Sequence, residues 1–224
     1  MKLETIKKSF NDFIIENKVI GFFKDPIILK SGRQSYWYVN WRNIAEDVFL
    51  LDILTDFIIS FVKYLKLDPD CFYGVPEGAT KLGIITQFKW AKQHKNYGKD
   101  VFPFPMGRAL PKKHGEPKDK YFVGAPKGKV IILEDTTTTG GSLIKCIDEL
   151  QILNLNIIAV IVLTDRNEKR DDGKTVKQAI NEKGVEYFPM SNAIDILPYL
   201  KPNEILAKQI EDYFKKYGSH KLKF

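Results

Sequence analysis

An α/β fold with a central, mostly parallel sheet flanked by helices is what this sequence predicts, and two observations carry the prediction. Residues 130–133 (Val-Ile-Ile-Leu) and 157–163 (Ile-Ile-Ala-Val-Ile-Val-Leu) are short apolar runs, rich in β-branched side chains, of the kind buried on both faces of a sheet. From residue 71 onward such runs alternate with segments whose apolar residues recur at helical spacing, the order that builds parallel sheets. A parallel sheet places its ligands at the carboxyl ends of its strands, so the residues following each run are the functional candidates.

In chain order, Leu3, Ile6, Phe10, Phe13 and Ile14 recur at helical spacing and predict an N-terminal amphipathic helix. Residues 26–29 and 36–41 read as two strands of a hairpin turned by Lys30-Ser31-Gly32-Arg33-Gln34. Taken alone, the aromatics Tyr36, Trp37, Tyr38 and Trp41 in the second run fit packing at least as well as a ligand platform. Residues 45–65 predict a long surface helix with Asp52 and Asp56 on its outer face. Residues 71–76 form a short strand ending in a turn, and Glu77-Gly78-Ala79-Thr80 leads into a helix running to about His94. Residues 101–106 are expected to form a strand despite two prolines. Residues 108–120, dense in charge, proline and glycine with little to bury, are expected to form a long mobile loop. Beyond residue 163 the pattern gives a helix over 175–183 closed by Gly184, a last strand over 185–190, and one or two terminal helices over 193–217, interrupted at Pro198 and Pro202.

The chain is organised around residues 129–143, Lys-Val-Ile-Ile-Leu-Glu-Asp-Thr-Thr-Thr-Thr-Gly-Gly-Ser-Leu. The apolar run is expected to end at Glu134 and Asp135, an odd place for two charges, and a helix opens at Ser142. Gly140 and Gly141 allow close backbone approach to a ligand. The amides of the first helical turn point into the loop, and the hydroxyls of Thr138, Thr139 and Ser142 add donors, which together make a phosphate cradle. The carboxylates cannot bind phosphate; they need hydroxyls or a bridging metal, and a phosphorylated sugar with Mg²⁺ offers both. No Gly-x-x-x-x-Gly-Lys-Ser/Thr occurs, and no Gly-x-Gly-x-x-Gly follows a strand, which points away from ATP and NAD. A polar turn whose acid merely caps the helix is the plainer explanation, but a cap uses one acid and leaves the second unexplained.

This stretch resembles the phosphoribosyl-diphosphate (PRPP) binding motif of type I phosphoribosyltransferases, and three further stretches resemble orotate phosphoribosyltransferases in family order. Leu-Lys-Ser-Gly-Arg-x-Ser at 29–35 is similar to that family's N-terminal hairpin. Arg108, Lys112, His114 and Gly115 match its catalytic loop, although Ala109 replaces a lysine that Lys113 would have to supply, and Asp165-Arg166 matches its base-binding pair. At 74–80 Glu77 stands where the family's pyrophosphate loop carries an aromatic. The resemblance implies a type I phosphoribosyltransferase fold with a small hood over approximately residues 1–44, helped by the C-terminal part, on a core of approximately 45–200. It implies transfer of the phosphoribosyl group of PRPP to orotate, giving orotidine 5′-monophosphate and pyrophosphate with Mg²⁺. The catalytic set would be Arg108, Lys112, His114 and Asp135. Lys30, Glu77, Gly78, Lys113, Glu134, Asp135, Thr136, Thr137, Thr138, Thr139, Gly140, Gly141 and Ser142 would bind PRPP. Arg166, Thr138, Tyr38, Val39 and Lys30 would hold orotate. Mg²⁺ would be held mainly by PRPP, with no dedicated protein ligands, and two subunits would pair with each catalytic loop reaching the neighbour's site.

Composition limits the alternatives. A chain of 224 residues is long enough for one sizeable domain, and its net charge of +7 favours anionic partners. The charge is spread along the chain, which fits a basic cleft for small phosphorylated substrates better than a nucleic-acid stripe. Cys71 and Cys146 have no partner spacing, so neither a disulfide framework nor a zinc site is indicated, and a reducing compartment is expected. The N-terminus lacks the apolar core of a secretory signal and no apolar run could span a membrane, so a cytoplasmic protein is expected. Two other functions stay open at this point: the same fold serving a purine or another pyrimidine base, and a PRPP-responsive regulator that binds nucleic acid.

Overall fold

The computed structural model describes residues 3–114 and 120–224. Helix α1 (Leu3–Glu16) buries Ile6, Phe10, Phe13 and Ile14. A two-stranded antiparallel hairpin follows, β1 (Ile20–Ile28) and β2 (Gln34–Val39), with an irregular register between Phe22 and Ile27. The first strand thus begins six residues before the expected residue 26. The short helix α2 (Arg42–Ala45) precedes α3 (Val48–Tyr64), which is capped by the Asp47 carboxylate accepting from Leu50 N.

Strand β3 (Cys71–Gly74) is buried throughout and leads to α4 (Thr80–Lys92), whose Lys89 pairs with Asp52 and Asp56 on the outer face of α3. Residues 101–105 do not form the expected strand, because Pro103 and Pro105 have no N–H to give a ladder. Only β4 (Met106–Gly107) pairs, antiparallel, with β5 (Phe122–Val123). Bonds from Arg108 N to Tyr121 O (2.9 Å) and Lys112 N to Lys120 O (2.8 Å) extend that pairing outward into a narrow arm. Gly115 and the rest of 115–119, part of the segment expected to be mobile, lie outside the described residues.

The core sheet is formed by β3, β6 (Lys129–Thr137), β7 (Asn156–Asp165) and β8 (Glu186–Asn192), paired in the order β3-β6-β7-β8 and parallel throughout. Strand β6 does not end at the acidic pair. The ladder to β7 continues through Glu134 opposite Val162, Thr136 opposite Thr164 and Thr137 opposite Asp165, so strand geometry carries both carboxylates onto the sheet end. Helix α5 (Gly141–Ile152) follows β6 and packs Leu143, Cys146, Ile147 and Leu150 inward. Helix α6 (Val176–Asn181) starts with a capping box between Thr175 and Gln178, and Gly184, at φ +75°, turns the chain back toward β8. After β8 come α7 (Ala193–Ile196), a 3₁₀ turn over Leu197–Leu200 containing Pro198, and α8 (Glu204–Tyr217), which begins just beyond Pro202.

One apolar cluster joins α1, the hairpin, α3, α8 and one sheet face, with Trp37 stacked on Phe214 at 6.0 Å. The other face packs under α5 and α6. Both cysteines are buried and unbridged, and burial pushes the Cys71 thiol up to about 11, which leaves it protonated at neutral pH. No described helix is long and apolar enough to cross a membrane.

Candidate active site

A cavity of about 950 Å³ opens at the carboxyl ends of β3, β6 and β7. It is lined by all seven loop residues from Thr136 to Ser142, by Glu134 and Asp135, and by Lys30, Tyr38, Val39, Glu77, Gly78, Arg108 and Arg166. Five stretches far apart in sequence therefore meet at one opening.

The loop joining β6 to α5 is the one expected to cradle a phosphate. Gly140 sits at φ +70°, a left-handed conformation that glycine adopts without strain, and no side chain caps the helix that follows. The N–H groups of the first turn of α5 are therefore left for an anion, and a Cβ added at Gly141 would meet nothing within 4 Å. Arg170 Nη1 donates to Thr139 O at 2.6 Å and ties the loop after β7 to the cradle. Thr137 lines the cavity while its hydroxyl is engaged within the fold. Its side chain is buried and its Oγ1 lies 2.7 Å from Tyr187 Oη, which also donates to Asp165 Oδ2 at 3.0 Å. This chain of bonds braces the ends of β6, β7 and β8. The Thr136 hydroxyl is buried without a hydrogen-bond partner among the described residues.

The two acids occupy different environments. Glu134 is buried, and burial together with the neighbouring Asp135 charge holds its carboxyl well above the usual carboxylate range. Asp135 is half-buried and accepts from Thr136 N at 2.7 Å. Its Oδ2 lies so close to Gly78 that a Cβ there would stand 2.5 Å from it, so the loop after β3 packs its backbone against this carboxylate. Glu77, after a cis Pro76–Glu77 peptide, is exposed at the rim. Among the described residues, no group of three or more His, Cys, Asp or Glu side chains could hold a metal ion.

Lys30, at the hairpin turn, reaches across to the cradle: its Nζ donates to Ser142 Oγ at 2.8 Å. Tyr38 and buried Val39 form the wall beside it. The arm contributes Arg108 to the lining, with Ala109, Leu110 and Pro111. Lys112, Lys113 and His114 are exposed and are not among the cavity-lining residues of this chain.

Arg166 lines the cavity yet is 1% exposed, and its guanidinium is already engaged. Nε donates to Glu168 Oε1 (2.8 Å), Nη2 to Ser35 Oγ (3.1 Å) and Nη1 to Trp37 O (3.4 Å), and the group lies 3.6 Å from the Trp37 ring centroid. The other Glu168 oxygen accepts from Arg33 Nη1 at 2.9 Å. Arg33, Ser35 and Glu168 were not expected as site residues. Glu168 is followed by Lys-Arg-Asp-Asp, which reads as a solvated loop; the available signal was an acid two residues beyond an arginine at a strand end.

No protein-family model matches the chain. Curated orotate phosphoribosyltransferases are similar to it over nearly its whole length. That of Stutzerimonas stutzeri is 29% identical over 225 residues, covering 96% of this chain and all of the relative. That of Thermococcus gammatolerans is 25% identical over 186 residues, covering 83% and 89%. Among solved structures, the orotate phosphoribosyltransferase of Francisella tularensis superposes with a TM-score of 0.69 at 24% identity, over 94% of this chain and 100% of the other. The fold is that of the type I phosphoribosyltransferases, and the chain is a relative of the orotate phosphoribosyltransferases.

Proposed function

We propose that this chain transfers the 5-phosphoribosyl group of PRPP to orotate, forming orotidine 5′-monophosphate and pyrophosphate in pyrimidine biosynthesis. The observation that carries this reading is the meeting, at one cavity, of the acid–threonine–glycine cradle, the Lys30 hairpin and a buried arginine at the end of β7. Loss of pyrophosphate leaves an oxocarbenium-like ribose, so the protein must align a base nitrogen with the anomeric carbon and neutralise departing charge. The amides of Gly141 and Ser142 and the hydroxyls of Thr138, Thr139 and Ser142 hold the 5′-phosphate. Glu134 and Asp135 meet the ribose hydroxyls and accept from them, with burial raising the tendency of Glu134 to hold a proton. Lys30 and Arg108 approach the pyrophosphate, Tyr38 and Val39 pack on the base, and Arg166 takes its carboxylate.

Mg²⁺ would be carried mainly by the diphosphate, beside the acids of the cavity, and would offset the leaving group's charge there. The exposure of Lys112, Lys113 and His114, away from their own cavity, supports a homodimer in which each arm serves the neighbouring site. We place the protein in the cytoplasm and treat residues 1–44, with α8, as a hood on the core. A second reading, transfer to a purine or to another pyrimidine, draws on the bonds that Arg166 already makes within the protein. Pyrophosphate release from PRPP and Mg²⁺, with orotate, adenine, guanine, hypoxanthine or uracil supplied singly, decides between them. Release with orotate alone is expected; release with another base but not orotate would overturn the proposal.

A further inference from the structure

Strand β6 loses its neighbour before it reaches the cradle. Its ladder to β7 closes at Thr137 opposite Asp165, and the last rung is Arg166 N donating to Thr137 O at 3.0 Å. Two residues on, the spacing at which a strand's carbonyls face the same neighbour, Thr139 O is bonded as well, by Arg170 Nη1 at 2.6 Å. A guanidinium therefore supplies the rung that the backbone of β7 no longer can, and it carries the hold on β6 past the strand end into the loop.

Arg170 is itself held. Lys169 and Thr175 form an isolated antiparallel bridge, Arg170 N donates to Lys174 O at 2.8 Å and Gly173 N to Arg170 O at 3.0 Å, so residues 169–175 make a tight turn. Within it one Asp172 oxygen accepts from Arg170 Nε at 3.2 Å and the other from Lys174 N at 3.0 Å, which fixes the direction in which the arginine leaves the turn. The next residue, Val176, opens α6 and packs against Gly140: a Cβ added at Gly140 would stand 2.8 Å from Val176 Cγ1. One loop thus grips two successive cradle residues, the first by a charged hydrogen bond and the second by packing.

The bond to Thr139 O constrains the amide beside it. The Thr139–Gly140 peptide is trans, and a planar trans peptide points its C=O and N–H in opposite directions. With the carbonyl aimed at Arg170, which is not among the cavity-lining residues, the Gly140 N–H is turned the other way, to the side on which the cavity opens. Asp172 sits on the same turn and offsets the charge of Arg170, so what reaches the cradle is orientation more than field.

We infer that Arg170 is a positioning residue for the 5′-phosphate: it fixes the Thr139–Gly140 peptide so that the cradle's amides converge on the anion, and it does so without touching the ligand. The inference rests on the proposed function and concerns the phosphate end of the sugar alone.

The test compares the parent with Arg170→Met and Arg170→Lys, by thermal melts over a series of ribose 5-phosphate concentrations and by KM for PRPP and for orotate, the latter at saturating PRPP. Arg170→Met is expected to fold, to need about tenfold more ribose 5-phosphate for half-maximal stabilisation and to show a PRPP KM raised by about as much, with an orotate KM within about twofold of the parent and kcat less affected than the PRPP KM. Arg170→Lys, which can still donate to Thr139 O, should fall between the two. Parental ribose 5-phosphate and PRPP values in Arg170→Met, or an equal rise in the PRPP and orotate KM, overturn the inference. Unfolding of both variants would make Arg170 a fastener of the fold and overturns it too. A parent that ribose 5-phosphate does not stabilise removes the cradle assignment and the inference with it. A stabilised parent that releases no pyrophosphate with orotate removes the proposed reaction, and a stabilised, active parent with indifferent variants removes only the role of Arg170.

Discussion

Lys30 Nζ donates to Ser142 Oγ at 2.8 Å, which places an exposed ammonium over the first turn of α5. A helix N-terminus carries partial positive charge, so a lysine there is poorly matched unless an anion lies between. The pair frames a space whose natural occupant is multiply negative.

Lys30→Met is therefore expected to leave stability nearly untouched, because the bond lost is exposed and worth about 1 kcal/mol or less. Turnover should fall by about 10²–10³, the usual size for removing one group that stabilises departing charge. A melting curve and a pyrophosphate-release assay on the same preparation check both halves. A variant that turns over like the parent would exclude Lys30 from the site.

Asp135→Asn is expected to melt like the parent and to lose at least about tenfold in turnover, since the amide keeps the shape but weakens the charge-assisted bonds to the ribose. Gly78→Ala should mimic it without changing the acid, because the new Cβ would stand 2.5 Å from Asp135 Oδ2 and must displace it. Full activity in Gly78→Ala would show that the position of this carboxylate does not matter.

Glu134 gives the protein a definite pH signature. Burial, with help from Asp135, raises its folded pKa above the unfolded value near 4.3. Its contribution to stability is thus complete below the unfolded value and is lost as pH rises through the folded one. Glu134→Gln abolishes that loss, so the melting temperature of the variant relative to the parent should be higher at pH 8 than at pH 4. Parallel melting curves across that range would show that Glu134 titrates normally.

The exposure of Lys112 on an arm that leaves its own cavity predicts complementation between subunits. Lys112→Ala and Asp135→Asn should each be weak alone. After subunit exchange, about half of randomly formed dimers are mixed, and each has one site with both lesions and one with neither, so about a quarter of all sites should recover parental activity. Mixed dimers seen by mass spectrometry without such recovery would mean that the arm serves its own chain.

The half of the cavity proposed to take PRPP was legible because its residue types are unusual together: acids at the end of an apolar run, then hydroxyls and glycines. Its geometry was less so. Nothing local to Glu134 and Asp135 says that β6 continues to Thr137, since that is decided by the ladder to β7. The first strand was shortened for a similar reason: residues 20–25 lack clean alternation, and their pairing with β2 is irregular. Arg166 was legible as a cation at a strand end, but its partners Ser35 and Trp37, and Arg33, which shares Glu168 with it, are remote in sequence and become neighbours only when the hairpin docks.

That separation sets an order of events. The cradle and acids come from the contiguous residues 129–142, whereas the end that holds Arg166 needs residues 33–37 from near the start of the chain and Tyr217 and Ser219 from near its finish. Closing so long a loop is entropically slow compared with forming adjacent β6–α5–β7 contacts. During refolding, amide protons of β6 and β7 should become protected from exchange before those of Lys169 and Ser219, and simultaneous protection would contradict this. As the chain matures, it would acquire a place for a sugar phosphate first and the means to choose among bases last.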